Sequence, residues 1–237
     1  LNDGFFSDEG TLTYWPAGYP LLIWPLAAIS ITKFLYLLSL IQSLFFAYST
    51  YYFTKALLKT SLGYLAFTAS LIISFNPTLS LNSLAIGYET PVASCLLMAG
   101  GIAIRNKNIL DAGSKTRNFI YIGLWFGLAS FMQPRFIAVG IVFTMMFAAK
   151  FAKKTNILKP IVISLVALSL LPALLVLRNV EAVGKTTIST NLGATMSLGA
   201  GEETRGGYKR IGPGVPCDTD DQTIEISDSQ RVLCILE

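Results

Sequence analysis

The chain contains no histidine. That removes imidazole both as a general base and as a metal ligand within these residues. Charge is scarce too. Only 14% of residues are Asp, Glu, Lys or Arg, against about 25% in ordinary soluble domains. Between residues 34 and 177 the only acids are Glu89 and Asp111. There are three cysteines, and their scatter fits no zinc site. Cys95 lies in an apolar run. Cys217 and Cys234 lie in the polar tail, where they either pair in an oxidising compartment or stay free thiols. No signal-peptide pattern is visible at the start. The first residue is Leu1, and upstream sequence is expected, with a further stretch downstream.

What the chain has in excess is apolar residues: 53% of the total, with a mean hydropathy of +0.57. They gather into long runs, as in a protein that crosses a membrane several times. Six runs are candidate spanning helices: 34–54, 60–75, 90–104, 119–132, 136–149 and 160–177. A seventh, 20–32, is shorter and holds Pro20 and Pro25. It reads as a helix lying in the interface or as a re-entrant piece. The expected fold is therefore all-α: a polytopic helical membrane protein with about six spanning helices, an interfacial helix and an external C-terminal loop. Its segments would be 1–33, an external loop with the interfacial piece; 34–177, the transmembrane region; and 178–237, an external polar segment.

The net charge of +4 gains meaning once it is placed. One set of loops carries Lys55 and Lys59, then Arg105, Lys107, Lys115 and Arg117, then Lys150, Lys153, Lys154 and Lys159. Within the body the alternate loops carry only Arg135. The positive-inside rule puts the first set in the cytosol. The protein is then expected in the cytoplasmic membrane, with residues 1–20, 76–89, 133–135 and everything after Arg178 on the periplasmic or extracellular face. "GLWFG", Gly123–Gly127, is a G-x-x-x-G inside a span and reads as close helix packing.

"EAVGKTTIST" contains the end of a phosphate-binding loop, G-x-x-x-x-G-K-[ST]. Its first glycine is replaced by Asn179, and a long apolar run precedes it in place of a short strand. With this segment outside the cytosol, ATP is not expected as a partner, and neither is nucleic acid. The "DTDD" of the tail lacks the EF-hand calcium pattern and reads as a solvated loop.

Polar and aromatic residues that could carry chemistry fall in four places on the outer side. "YWPAGYPLLIW" offers Tyr14, Trp15 and Tyr19, either as an aromatic belt at the headgroups or as a rigid lip over a lipid-substrate groove. Glu89, in "SLAIGYETPVASC", sits at the mouth of a span, where an acid is costly unless it is solvated or functional. Arg135 lies in a turn beside Pro134. Its guanidinium fork suits phosphate, whether of a substrate or of a lipid headgroup. Arg178, Asn179 and Asn191 belong to a Gly/Ser/Thr-rich stretch after the last run. There, amides and hydroxyls beside a cation suit a sugar or phosphate.

Together these places resemble the GT-C superfamily of membrane glycosyltransferases, within it the protein mannosyltransferase and aminoarabinose transferase-like group. "YWPAGYPLL" is similar to that group's "PPGYPLL", and "ETPVASCLLMAG" to its acid-x-Pro opening of a later span. "GLWFGLASFMQPRFIAV" resembles "GLLLGLAALTRPTALLL". "LLPALLVLRNVEAVGKTTISTNLGATMSLGAG…GGY" resembles "PWLLRN…G…STNGGYNL..GNN…GY". The matches run in order over about the first two hundred residues.

The resemblance implies an enzyme that takes a sugar from a polyprenyl-phosphate donor outside the cytosol. A carboxylate would activate the acceptor hydroxyl, and cations would hold the departing phosphate. It assigns Trp15, Pro16, Gly18, Tyr19 and Pro20 to the proline-glycine segment and Glu89 to the second-loop acid. Arg178, Asn179, Ser189, Thr190 and Asn191 fall on the motif after the last span. Gln133 stands where the group has the arginine of "TRP", with Arg135 two residues on. The group's principal catalytic acid is expected upstream of Leu1, so this chain alone is expected to be inactive. No cofactor is assigned, and the need for a divalent metal stays open. The rival functions are a transporter or flippase for a lipid-linked glycan, which would carry ionisable residues mid-span, and a non-catalytic membrane scaffold.

Overall fold

A computed structural model describes residues 16–30, 32–106, 112–151, 157–184 and 186–189. Among them are eight α-helices: α1 (Gly18–Ile29), α2 (Phe34–Leu57), α3 (Ala66–Ser74), α4 (Pro77–Asn82), α5 (Glu89–Asn106), α6 (Ala112–Met132), α7 (Phe136–Phe151) and α8 (Leu158–Val183). A 3-10 turn, Gly63–Leu65, leads into α3. No strand occurs among the described residues, so the all-α expectation agrees with the fold. Packing separates a helical body, Pro16–Leu177, from a second unit that contains residues 178–184 and 186–189.

The helix ends have local causes. Asn76 caps α4 by accepting from the Leu79 N–H at 3.1 Å, and Pro77 occupies the first turn, where no N–H is needed. The run expected as one span over 60–75 instead opens with the 3-10 turn, which leaves α3 only Ala66–Ser74, and Asn76 with Pro77 turns part of the expected external loop into helix. Lys55 sits in the last turn of α2, where a cation complements the carbonyl end. It donates to the Tyr51 hydroxyl at 3.0 Å. α8 passes Arg178 without a breaker and ends at Gly184, whose φ of +67° is readily adopted only by glycine. The Gly184 N–H bonds the Val180 carbonyl at 2.9 Å and closes that last turn.

Six full crossings are not supported. Two helical stretches are long and apolar enough to cross a membrane, Phe34–Leu57 and Leu158–Glu181. Gly18–Ile29, Gly63–Ser74 and Phe136–Phe151 are apolar but shorter. α3, at 9 residues, rises only about 14 Å at 1.5 Å per residue, against roughly 30 Å of hydrocarbon. Length does not disqualify α5 and α6. Their hydropathy is lowered by Ser, Thr and Gly within and by Arg105 and Arg117 near their ends.

The body is apolar outside and partly polar inside. Leu40, Leu44, Tyr48 and Tyr51 form an exposed stripe along α2; Val162, Val166, Leu170, Leu174 and Leu177 form another along α8. Ser49, Ser94, Ser130, Thr144 and Ser164 are fully buried. Thr144 and Ser164 share a buried hydrogen bond of 3.1 Å between their hydroxyls. The main core gathers Ala99, Ile102, Phe119, Ile122, Phe126, Phe147, Ala148 and Leu168. A second cluster, around Tyr19, Val92, Cys95, Ala129 and Met132, lies under the candidate site. Gly123 and Gly127 face α8. A Cβ on Gly123 would run into the Ser164 carbonyl oxygen, and one on Gly127 would meet that of Leu168 at 2.7 Å. The G-x-x-x-G is thus a close helix contact.

Candidate functional site

At one end of the body, the start of α1, the start of α5 and the end of α6 converge. Gly18 makes the approach possible. A Cβ there would collide with the Phe131 carbonyl oxygen near the end of α6. The next residue, Tyr19, is only 7% exposed. Its hydroxyl accepts from Gln42 Nε2 on α2 at 2.6 Å and from the Gly87 backbone N–H at 3.0 Å. Ser39 donates to the Leu84 carbonyl at 3.0 Å, and Ser43 to the Ser83 hydroxyl at 3.3 Å. These bonds fasten the connection between α4 and α5 to α2.

That connection delivers Glu89. The carboxylate is half-buried in the first turn of α5, the end of a helix that favours negative charge. A Cβ on Gly87 would lie 2.6 Å from Glu89 Oε2, so the missing side chain is what gives the carboxylate room. Thr90 fixes the turn by donating to the Leu79 carbonyl at 2.7 Å. Burial pushes the Tyr19 phenol above its ordinary pKa, and the negative charge of Glu89 adds to the rise; the bonds from Gly87 and Gln42 act the other way. These two donors occupy both acceptor lone pairs of the Tyr19 oxygen. Next in the chain, the Tyr88 hydroxyl accepts from Gln133 Nε2 at 3.3 Å. Arg135, two residues beyond Gln133, is exposed, with its guanidinium 5.6 Å from the centre of the Phe136 ring.

The second unit holds a cluster of its own. Arg178 is 4% exposed and Asn179 is 1% exposed. Arg178 Nη1 donates to Asn179 Oδ1 at 2.8 Å. Asn179 Nδ2 donates to the carbonyls of Thr187 and Ile188 at 2.8 and 3.1 Å. One buried amide therefore staples residues 187–188 back onto the helix end. The Thr187 hydroxyl adds a bond to the Ser189 carbonyl at 2.7 Å. The geometry also disposes of the phosphate-loop pattern. Asn179 lies inside a helix, and "GKTT" follows a helix C-terminus, where carbonyls and the negative dipole end repel phosphate.

Of the residues singled out in the sequence, Glu89 and Tyr19 are brought together, and Arg135 lies at the same end of the body. Tyr19 is a buried tether, not an open lip. Arg178 and Asn179 pair with each other. Tyr14, Trp15 and Asn191 lie outside the described residues. Gln42, Gly87 and Gln133 had no assigned part in the site. The signal for Gln42 was present, as a lone amide in an apolar run. Among the described residues no three His, Cys, Asp or Glu side chains gather as a ligand set.

No protein-family model, curated protein or solved structure matches the chain.

Proposed function

We propose that the chain is the membrane-embedded part of a glycosyltransferase that moves a sugar from a polyprenyl-phosphate donor to an acceptor on the outer side of the cytoplasmic membrane. The likeness of four sequence segments to the GT-C pattern motivates the chemistry. The inverted surface supports the membrane: apolar stripes face outward while hydroxyls and an amide are buried, the arrangement that lipid solvation favours. Lys55 and Arg105 near the C-terminal ends of α2 and α5 support, by the positive-inside rule, a cytosolic placement of those ends with the Glu89 end outside.

The observation that carries the reading is the setting of Glu89. It is the one acid among the described residues of the body. It stands half-buried at the outer mouth, backed by Gly87 and Tyr19, with exposed Arg135 at the same end. In the proposed reaction a carboxylate takes the proton of the acceptor hydroxyl as that oxygen bonds to the sugar's anomeric carbon, and Glu89 is the carboxylate that the described residues offer at this end. The bond from that carbon to the phosphate oxygen breaks, and the departing lipid phosphate carries away the electron pair. Arg135 meets the phosphate with a guanidinium fork, an electrostatic aid to the leaving group.

The test is transfer of radiolabelled sugar from a polyprenyl-phosphate donor, in membranes from cells expressing the complete reading frame. Glu89→Gln keeps the shape and removes the base. Loss of roughly 10²-fold or more in rate is expected. Full activity in that variant removes Glu89 from the chemistry.

A further inference from the structure

At the opposite end of α5 from Glu89, a cleft of about 330 Å³ opens between α2, α5 and α6. That is near the lower limit of the roughly 300–1,000 Å³ typical of ligand sites. Its polar lining includes Arg105, Arg117 and Asn118. The Arg105 guanidinium lies 5.2 Å from the centre of the Tyr52 ring, which holds one wall. Tyr52 in turn lies against Gly101, where a Cβ would come within 2.7 Å of its ring.

The apolar lining runs in the other direction. Met98 lies seven residues before Arg105 on α5, and Trp125 lies eight after Arg117 on α6. At about 1.5 Å per residue, each is roughly 10–12 Å farther along its helix from the cationic mouth. Neither arginine forms an ion pair with a described residue. Glu89, the acid on α5, begins that helix while Arg105 lies in its last turn.

We propose that this cleft binds the phosphate of an anionic membrane phospholipid on the cytosolic side, with its glycerol and first acyl carbons against Met98 and Trp125. The proposal rests on the membrane reading above, though not on the glycosyltransferase chemistry. Two guanidiniums supply forked donors for a phosphodiester, and basic pockets between membrane helices on the cytosolic side suit such headgroups. The amphiphilic shape favours a lipid over free phosphate, since a soluble anion would leave the apolar floor unfilled.

The test uses the full chain carrying Trp15→Phe and Trp24→Phe, so that Trp125 alone fluoresces, in phosphatidylcholine vesicles. Phosphatidylglycerol brominated on its acyl chains is compared with phosphatidylcholine brominated in the same way. Preferential quenching by phosphatidylglycerol is expected, weakening about five-fold for each of Arg105→Gln and Arg117→Gln. Arg105→Lys retains most of the preference, and Lys150→Gln, outside the cleft, retains all of it. Equal quenching by both lipids overturns the assignment, as does a preference that survives the double glutamine variant. Displacement by about millimolar inorganic phosphate would make it a soluble-anion site and also overturn it. Flotation separates the two claims. A chain that floats with neutral vesicles but shows no lipid preference loses only the cleft assignment, whereas one that fails to float loses the membrane reading as well.

Discussion

The phenol of Tyr19 accepts the backbone N–H of Gly87 at 3.0 Å, a bond that spans 68 residues of sequence. With the Gln42 amide on the same oxygen at 2.6 Å, it joins α1, α2 and the approach to α5 at one atom. Everything proposed for Glu89 depends on this tether, because it sets where α5 starts.

Tyr19→Phe therefore leaves a buried amide and a backbone N–H without their acceptor. The expected cost is about 1–3 kcal/mol, read as a lower thermal midpoint in detergent or nanodiscs. Sugar transfer should fall as well. A variant with the wild-type midpoint would show that the tether contributes nothing.

The raised phenol pKa of Tyr19 gives a signed pH dependence. The folded state holds the proton more tightly than the unfolded chain, whose phenol titrates near 10. The corresponding stabilisation is complete below about pH 10 and declines as pH rises from there toward the folded value. Melting curves between about pH 8 and 11 should show a steeper alkaline decline for wild type than for Tyr19→Phe. Parallel curves would contradict the buried phenol.

Gly87→Ala tests the space beside the carboxylate. The new methyl would lie 2.6 Å from Glu89 Oε2. A flexible carboxylate swings away at little cost to stability, so the thermal midpoint should change by less than about 1 kcal/mol equivalent. Transfer activity should drop by tenfold or more, on the order of the penalty for a misplaced catalytic group. An alanine variant as active as wild type would show that Glu89 is not held there for function.

Asn179→Asp separates the two roles of a buried amide. The aspartate still accepts from Arg178 but cannot donate to the carbonyls of Thr187 and Ile188. Its charge would face two carbonyl oxygens. Destabilisation of about 1–3 kcal/mol is expected, despite the better pairing with arginine. A gain in stability would mean that the arginine bond, not the staple, governs this turn.

Glu89 was legible because an acid at the edge of an apolar run is conspicuous, and Gly123 and Gly127 because four-residue spacing puts both on one helix face. Gln42 stood out as a lone amide in an apolar run, but its pairing with Tyr19, 23 residues away, follows no local pattern. Asn76–Pro77 carried a clear cap signal, but the polar stretch after residue 75 was read as loop, and the short helix α4 was missed. Arg178 and Asn179 looked like the first residues of a loop. With no Gly or Pro between Arg178 and Gly184, α8 continues through them to Val183, and their side chains are buried instead of presented. The expectation of six spans failed on the same point: apolar composition was read without asking how many unbroken residues each helix keeps.

Sidedness is the claim on which the site, the donor and the lipid cleft all depend. Its direct measurement is labelling of intact cells with a membrane-impermeant maleimide, in a Cys217→Ser/Cys234→Ser background. Thiols are placed at two exposed positions, Ala85→Cys and Lys159→Cys. The account predicts that Ala85→Cys reacts from outside and that Lys159→Cys reacts only after the cells are permeabilised. Reaction at Lys159→Cys in intact cells, with Ala85→Cys protected, would contradict it.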